Sequence, residues 1–225
     1  MRKISSIKAE IYAQLKEKIM FLELEPGTVI TEEGIAAEWG VSRTPVREVL
    51  KTLSGERLVH IRPQNKTYVA YIDIDDIKEY VFFRRNMDIS ILKDLIRKDI
   101  KVRSAVEESI LLQEHAVASG NYKSFMRYGK QFHHQLVFLA GHELLWSFMQ
   151  EARDHINRYN TLLYYNHGYM GDSVQEHKQM VEYIDRQEGD KLEELLYRHH
   201  NIDLKHFEDI SSQYQSYFVT QNTRK

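Results

Sequence analysis

Apolar residues near the start of the chain recur at helical spacing. Ile7, Ile11, Leu15, Ile19 and Leu22 fall on one stripe among polar neighbours, which predicts an amphipathic helix over residues 6–22. "LEPGT" then reads as a turn. Thr31 opens the segment TEEGIAAEW, a short capped helix that stops at Gly40. Ser42 stands in the same relation to a third helix. Pro45 falls in the first turn of that helix, where a missing N–H costs little, and Glu48 falls in its second. Val46, Val49, Leu50 and Leu53 share one face of it. After Gly55 the period changes. LVHIR and TYVAYI, two β-prone runs around the polar PQNK, predict a hairpin.

Beyond Gln64 the chain contains no proline, so long helices are permitted. Gly120, Gly141, Gly168 with Gly171, and Gly189 divide this stretch into segments rich in Leu, Glu, Lys and Gln. Gly129 instead sits inside a helical run. The pattern predicts a bundle of about six helices over residues 74–213, with the polar tail SSQYQSYFVTQNTRK frayed at its end. The expected fold class is mainly α. Residues 1–72 have the element order of a winged helix-turn-helix, and residues 73–225 form an all-helical domain.

Composition narrows the picture. The chain has 225 residues and no cysteine, so disulfides and thiolate metal sites are excluded. No apolar run reaches the length of a membrane span and no signal segment is evident, so a cytosolic protein is expected. The net charge of −2 gives no hint of nucleic acid. Between Ser42 and Ala70, however, Arg43, Arg47, Lys51, Arg57, Arg62 and Lys66 face only Glu48 and Glu56. Arg43, Arg47 and Lys51 share a helix face opposite the apolar one, with Thr44 at its N-terminal end. Such a helix suits the DNA major groove, where arginine contacts phosphate or pairs bidentately with guanine. Arg62, Pro63, Gln64, Asn65 and Lys66 would form a wing along the backbone or minor groove. The competing reading is a solvated charged face.

"VSRTPVREVL", preceded by "LEPGTVITEEGIA" and followed by an "LV" strand, resembles the DNA-binding domain of the GntR family of bacterial transcription regulators over about residues 6–71. The resemblance implies that Ser42, Arg43, Thr44 and Arg47 contact bases and phosphates; the charge pattern adds Lys51, Arg62 and Lys66. The family usually has glycine near the wing tip, where this chain has Asn65-Lys66. It also commonly has "EGLV" before the wing, where this chain has "ERLV" with Arg57.

The helical part resembles the FadR-type (FCD) ligand-binding domain, in its shorter six-helix, VanR-like form, over about residues 74–210. "DDIKEYVFFRRNMDISIL" matches its opening helix, with Arg84 and Asp88 in place. "QFHHQLVFLAGHELL", "EHKQMVEYI" and "LLYRHH" follow in the right order. Many such domains hold a divalent metal through one Asp and three His. The resemblance implies His133, His177 and His199 as ligands, with His134 and His200 as register alternatives. The carboxylate position, one turn before His133, is Gly129. Three histidines can still bind zinc or a similar ion with an open position; the alternative is a metal-free pocket that holds an anion directly. Arg84 is expected either to pair with a carboxylate effector or to bridge to Asp88 at i+4. The tyrosine-rich "RYNTLLYYNHGYM" would favour an effector with an apolar or aromatic body if it borders that pocket.

The expected function is a homodimeric transcription regulator, a repressor or an activator. It would bind a pseudo-palindromic operator and answer to a small, carboxylate-containing metabolite. A metal-dependent hydrolase using the three histidines is one alternative, but no HExxH, nucleophile elbow or phosphate loop occurs. An architectural DNA binder without effector is the other, and it leaves the helical domain unexplained.

Overall fold

The computed structural model describes residues 4–62 and 66–219, which divide into two compact units. The first contains α1 (Ile4–Met20), β1 (Val29–Ile30), α2 (Glu32–Trp39), α3 (Arg43–Gly55), β2 (Val59–Arg62) and β3 (Lys66–Val69). Its core joins the predicted stripe of α1 (Ile11, Leu15, Ile19) to the apolar face of α3 (Val46, Val49, Leu50, Leu53). Thr31 caps α2 as expected, its hydroxyl accepting from the Gly34 N–H at 3.1 Å. Gly40 closes the same helix at φ 63°, a left-handed conformation suited to glycine.

Two local expectations need correction. Ser42 stands at the N-cap of α3, but its side chain makes no capping bond; buried Pro45 fixes the first turn instead. The sheet also has a third strand. β1 pairs antiparallel with β3 (Val29↔Tyr68, Ile30↔Thr67), giving the order β1-β3-β2. Two residues are too few to show alternation, so this strand has no sequence signature. The predicted hairpin of β2 and β3 forms, with Arg62 opposite Lys66. Pro63, Gln64 and Asn65, assigned to the wing tip, lie outside the described residues.

Arg57, which stands where the resemblance has glycine, adopts φ 58°. A side chain in this region costs on the order of 1–2 kcal/mol, partly offset by the greater chain entropy of glycine. Arg57→Gly is therefore expected to stabilise the protein by about 1 kcal/mol, read as a shift of the urea midpoint with the m-value unchanged.

The C-terminal segment departs most from expectation. Residues 211–219, assigned to the helical domain, group instead with the first unit; the end of the tail, where fraying is expected, lies outside the described residues. Ile72 and Phe218 form a parallel bridge. The Ile72 N–H donates to the Tyr217 carbonyl, and the Val219 N–H donates to the Ile72 carbonyl, both at 2.9 Å. Phe218 is buried. Burial and a hydrogen bond to Glu25 push the Tyr217 hydroxyl up to about 12.

The second unit runs Asp75–Ile210. It contains the six predicted helices: α4 (Ile74–Arg97), α5 (Arg103–Ala118), α6 (Tyr122–Leu139), α7 (Glu143–His167), α8 (Met170–Asp185) and α9 (Gly189–Lys205). A short α10 (Phe207–Gln213) follows. Gly120, Gly141 and Gly168 end helices as read, whereas Gly171 lies inside α8. Leu92 and Leu95 of α4 pack with Val106, Phe132, Leu136, Val181 and Leu196 in one core. No helix among the described residues is long and apolar enough to cross a membrane.

Candidate functional site

Two sites emerge, one in each unit. On α3, Pro45, Val46, Val49 and Leu50 are buried while Ser42, Arg43, Thr44, Arg47 and Lys51 are exposed. Backing and front therefore separate as the spacing predicts. Arg62 and Lys66 are exposed at the base of the hairpin, and the Arg62 guanidinium lies 4.9 Å from the Tyr68 ring centroid.

The sequence did not reveal what touches this front. Arg47 donates from Nε and Nη2 to the two carboxylate oxygens of Glu32, both at 2.8 Å, and holds that carboxyl below its ordinary range. Arg43 Nη1 lies 2.6 Å from Glu33 Oε1. Both acids belong to the first turn of α2, where a carboxylate is favoured by the helix dipole. That general preference hides their second role opposite α3.

In the helical unit, α6, α8 and α9 bring His133, His177 and His199 together. Their candidate ligand atoms all lie within 4.8 Å of one another. Ring centroids are 5.0 Å apart for His133–His177, 5.1 Å for His177–His199 and 5.7 Å for His133–His199. His177 Nδ1–H donates to Gln113 Oε1 at 2.7 Å, and His199 Nδ1–H donates to Glu176 Oε2 at 2.7 Å. These outer bonds set the tautomer of each ring in its neutral form, in which Nε2 carries the lone pair. His177 Nε2 is buried without a partner. Burial, reinforced by cationic neighbours, pushes His133 and His177 well below the ordinary imidazole range, so both rings are neutral, the form that binds metal.

This donor set fits a divalent ion. The three imidazoles would hold it, and it would supply a positively charged centre with an open position. His134 stays outside the cluster, packed on Trp146 at 4.9 Å between centroids. His200 faces Asp88 instead, Nε2 lying 3.2 Å from Oδ2. Gly129 is buried on α6 beside the site. A Cβ there would meet Gln113 Oε1 at 3.7 Å and His177 Cε1 at 3.9 Å, ordinary contacts that leave room for a side chain.

Arg84 and Asp88 are both buried on α4, with Arg84 Nε 3.4 Å from Asp88 Oδ2. The expected i+4 bridge is thus present. Arg84 Nη2 also lies 3.3 Å from His133 Nε2. Asp88 has a second cation that no motif announced: Arg153 of α7 donates to Oδ1 at 3.4 Å and stacks 4.1 Å from the Trp146 ring centroid. Two arginines therefore share one aspartate, whose carboxyl is held far below its ordinary range by Arg153, His200 and Arg84 against the cost of burial.

Arg84, Arg153 and the three histidines line one cavity, whose α6 wall includes Gly129 and Lys130 and whose α7 wall includes Asn157, Asn160 and Tyr164. The charged side chains among its described lining residues are Arg84, Lys130 and Arg153, and none is a carboxylate. The tyrosine-rich segment thus reaches the cavity through Tyr164, while Tyr165 is exposed and Tyr159 is buried in the core.

Comparison with known proteins agrees with this division. Residues 7–69 match the family of bacterial regulatory proteins called gntR, and residues 95–201 match the FCD domain, beginning past Arg84 and Asp88. An HTH-type transcriptional regulator of Streptomyces ambofaciens is 30% identical over 152 residues, 67% of this chain and 64% of its own length. The HTH-type transcriptional repressor RspR of Escherichia coli is 22% identical over 194 residues, 86% of this chain and 85% of its own. The solved structure of E. coli McbR/YncC shares the fold, with a TM-score of 0.76 at 14% identity over 95% of this chain and 100% of its own. With both of its matched segments in the order and places that the two units occupy, the chain belongs to the gntR family of bacterial regulatory proteins and carries an FCD domain.

Proposed function

We propose that the protein is a transcription regulator that binds operator DNA as a homodimer through α3 and the wing, and answers to a small anion in the histidine cavity. The observation that carries the DNA reading is α3 itself, apolar behind and cationic in front, with Arg43, Thr44, Arg47 and Lys51 all exposed. The observation that carries the effector reading is the cavity's charge. Two buried arginines share one aspartate, and no carboxylate is among the described residues that line the wall, so an incoming carboxylate would meet unbalanced positive charge. A divalent ion on His133, His177 and His199 would add to that attraction, because neutral imidazoles leave its charge uncompensated. A hydrolytic centre would use a carboxylate base beside such an ion; the wall supplies cations and amides, which suit binding. The relatives' names, a repressor among them, favour repression.

The test of the DNA reading is Arg47→Ala. It is expected to weaken operator binding by about 1–3 kcal/mol and to relax preference at one base pair of each half-site. Titration of selected and mixed-sequence duplexes at two salt concentrations separates this from a phosphate-only role, which would weaken all sequences evenly and lower the salt slope. Unchanged affinity for every duplex would remove α3 from the interface.

A further inference from the structure

The two carboxylates facing the cationic front of α3 differ in how firmly they are held. Glu32 is 14% exposed and grips Arg47 through two parallel bonds of 2.8 Å. Glu33 is 49% exposed and touches Arg43 through one guanidinium nitrogen. Exposed single-contact pairs contribute little and exchange freely with water, whereas a bidentate arginine–carboxylate pair fixes orientation. The backbone under Glu32 is fixed as well, because it directly follows the capping Thr31.

The chemistry of the fork then matters. Arg47 has five N–H donors. Glu32 takes one from Nε and one from Nη2. Of the three hydrogens that remain, one on Nη1 and the second on Nη2 form the edge of the guanidinium turned away from Glu32, and the other on Nη1 points back towards Cδ. That edge presents two parallel N–H groups, which is the pattern that guanine O6 and N7 accept. A lone flexible arginine could equally reach a phosphate; one anchored by its inner edge is restricted to what its outer edge meets.

We infer that Glu32 is a specificity-determining residue: it holds the Arg47 guanidinium by Nε and Nη2 so that the Nη1/Nη2 edge reads a single guanine, while Glu33 only screens Arg43. The inference rests on the DNA-binding reading above. It assigns the two neighbouring acids opposite consequences. Glu32 sharpens sequence preference. Glu33 places a negative charge near DNA phosphates and lowers affinity for every sequence alike.

The test uses the full-length protein and a duplex library with a randomised core, sequenced after selection by the wild type, Glu32→Gln, Glu33→Gln and Arg47→Lys. Glutamine keeps the shape of Glu32 and removes the charge that secures the fork. Glu32→Gln should lower discrimination at one base pair per half-site about tenfold and leave the other positions unchanged. Arg47→Lys, which keeps the charge but has no fork, should lose discrimination at the same base pair. Glu33→Gln should leave the selected sequence unchanged and tighten binding to mixed-sequence DNA. A Glu32→Gln pool identical to wild type at every position, or an even loss across all positions, overturns the assignment while DNA binding stands. A wild-type protein that selects no sequence at all overturns the DNA-binding reading, and this inference with it.

Discussion

Asp88→Asn is expected to destabilise the protein by about 3–5 kcal/mol, the range for removing one partner of a buried ion pair. Asparagine keeps the shape of the side chain and removes its charge. Arg84 and Arg153, whose side chains are 8% and 4% exposed, would then face each other without the carboxylate that now lies 3.4 Å from each. Burial already weakens the charged form of Arg153, and the charge of Arg84 weakens it further. Urea unfolding of the full chain would show the loss as a lower midpoint. Two further measurements identify the mechanism. Adding Arg153→Met to Asp88→Asn should recover part of the loss, a non-additivity that marks groups in contact. Acetate or formate should stabilise the Asp88→Asn variant more than the wild type, because a small anion can enter the cavity that both arginines line. A loss below 1 kcal/mol would mean that the two guanidiniums do not depend on Asp88.

The second large effect concerns Gly129. Gly129→Asp should raise affinity for zinc on the order of ten- to hundredfold, the scale on which ligand-shell changes alter metal binding. Space permits the change, since the nearest atoms to an added Cβ are at 3.7 and 3.9 Å. The carboxylate would approach His177 from α6 and offset part of the ion's charge. Without metal the same buried carboxylate costs stability, so the thermal midpoint of the variant should become strongly zinc-dependent. Gly129→Ala is the control. It should stabilise the fold by roughly 0.5–1 kcal/mol through helix propensity alone and leave zinc affinity unchanged. His177→Ala should lose zinc binding and any zinc-dependent change in operator affinity, while keeping operator binding itself. Calorimetric zinc titration of the three variants reads these differences. Equal zinc affinity in Gly129→Asp and wild type, together with undiminished zinc binding in His177→Ala, would remove the three-histidine cluster as a metal site.

What the sequence made legible follows from the range of each interaction. The α3 front could be read because Arg43, Arg47 and Lys51 repeat along one helix, and the apolar back repeats beside them. Arg84 and Asp88, four apart on α4, were legible through the resemblance of their helix to the opening helix of the FCD domain. Their further partners were not. Arg153 lies on α7, where nothing in its local pattern separates it from surface polar residues, and His200 on α9 stood out only as a register alternative to His199. Gln113 and Glu176, which set the tautomers of His177 and His199, are likewise ordinary helix residues until α5 and α8 pack beside the cluster. His155 illustrates the converse. Scattered in sequence, it is buried and stacked 4.9 Å from the Tyr80 ring. The tail's place was not legible because its pairing partner Ile72 lies about 150 residues away in sequence, and nothing local to Tyr217 and Phe218 announces it.

The Ile72–Phe218 bridge has a consequence for how the chain is made. About 150 residues separate its two sides. At synthesis rates of roughly 5–20 residues per second, Phe218 leaves the ribosome on the order of ten seconds after Ile72. The helix-turn-helix and hairpin can assemble early, because their contacts are local. The backbone groups of Ile72 that Tyr217 and Val219 satisfy stay open to water, or to another nascent chain, until the whole bundle has emerged. Completion of the first unit thus waits until the helical unit between its two parts has been made.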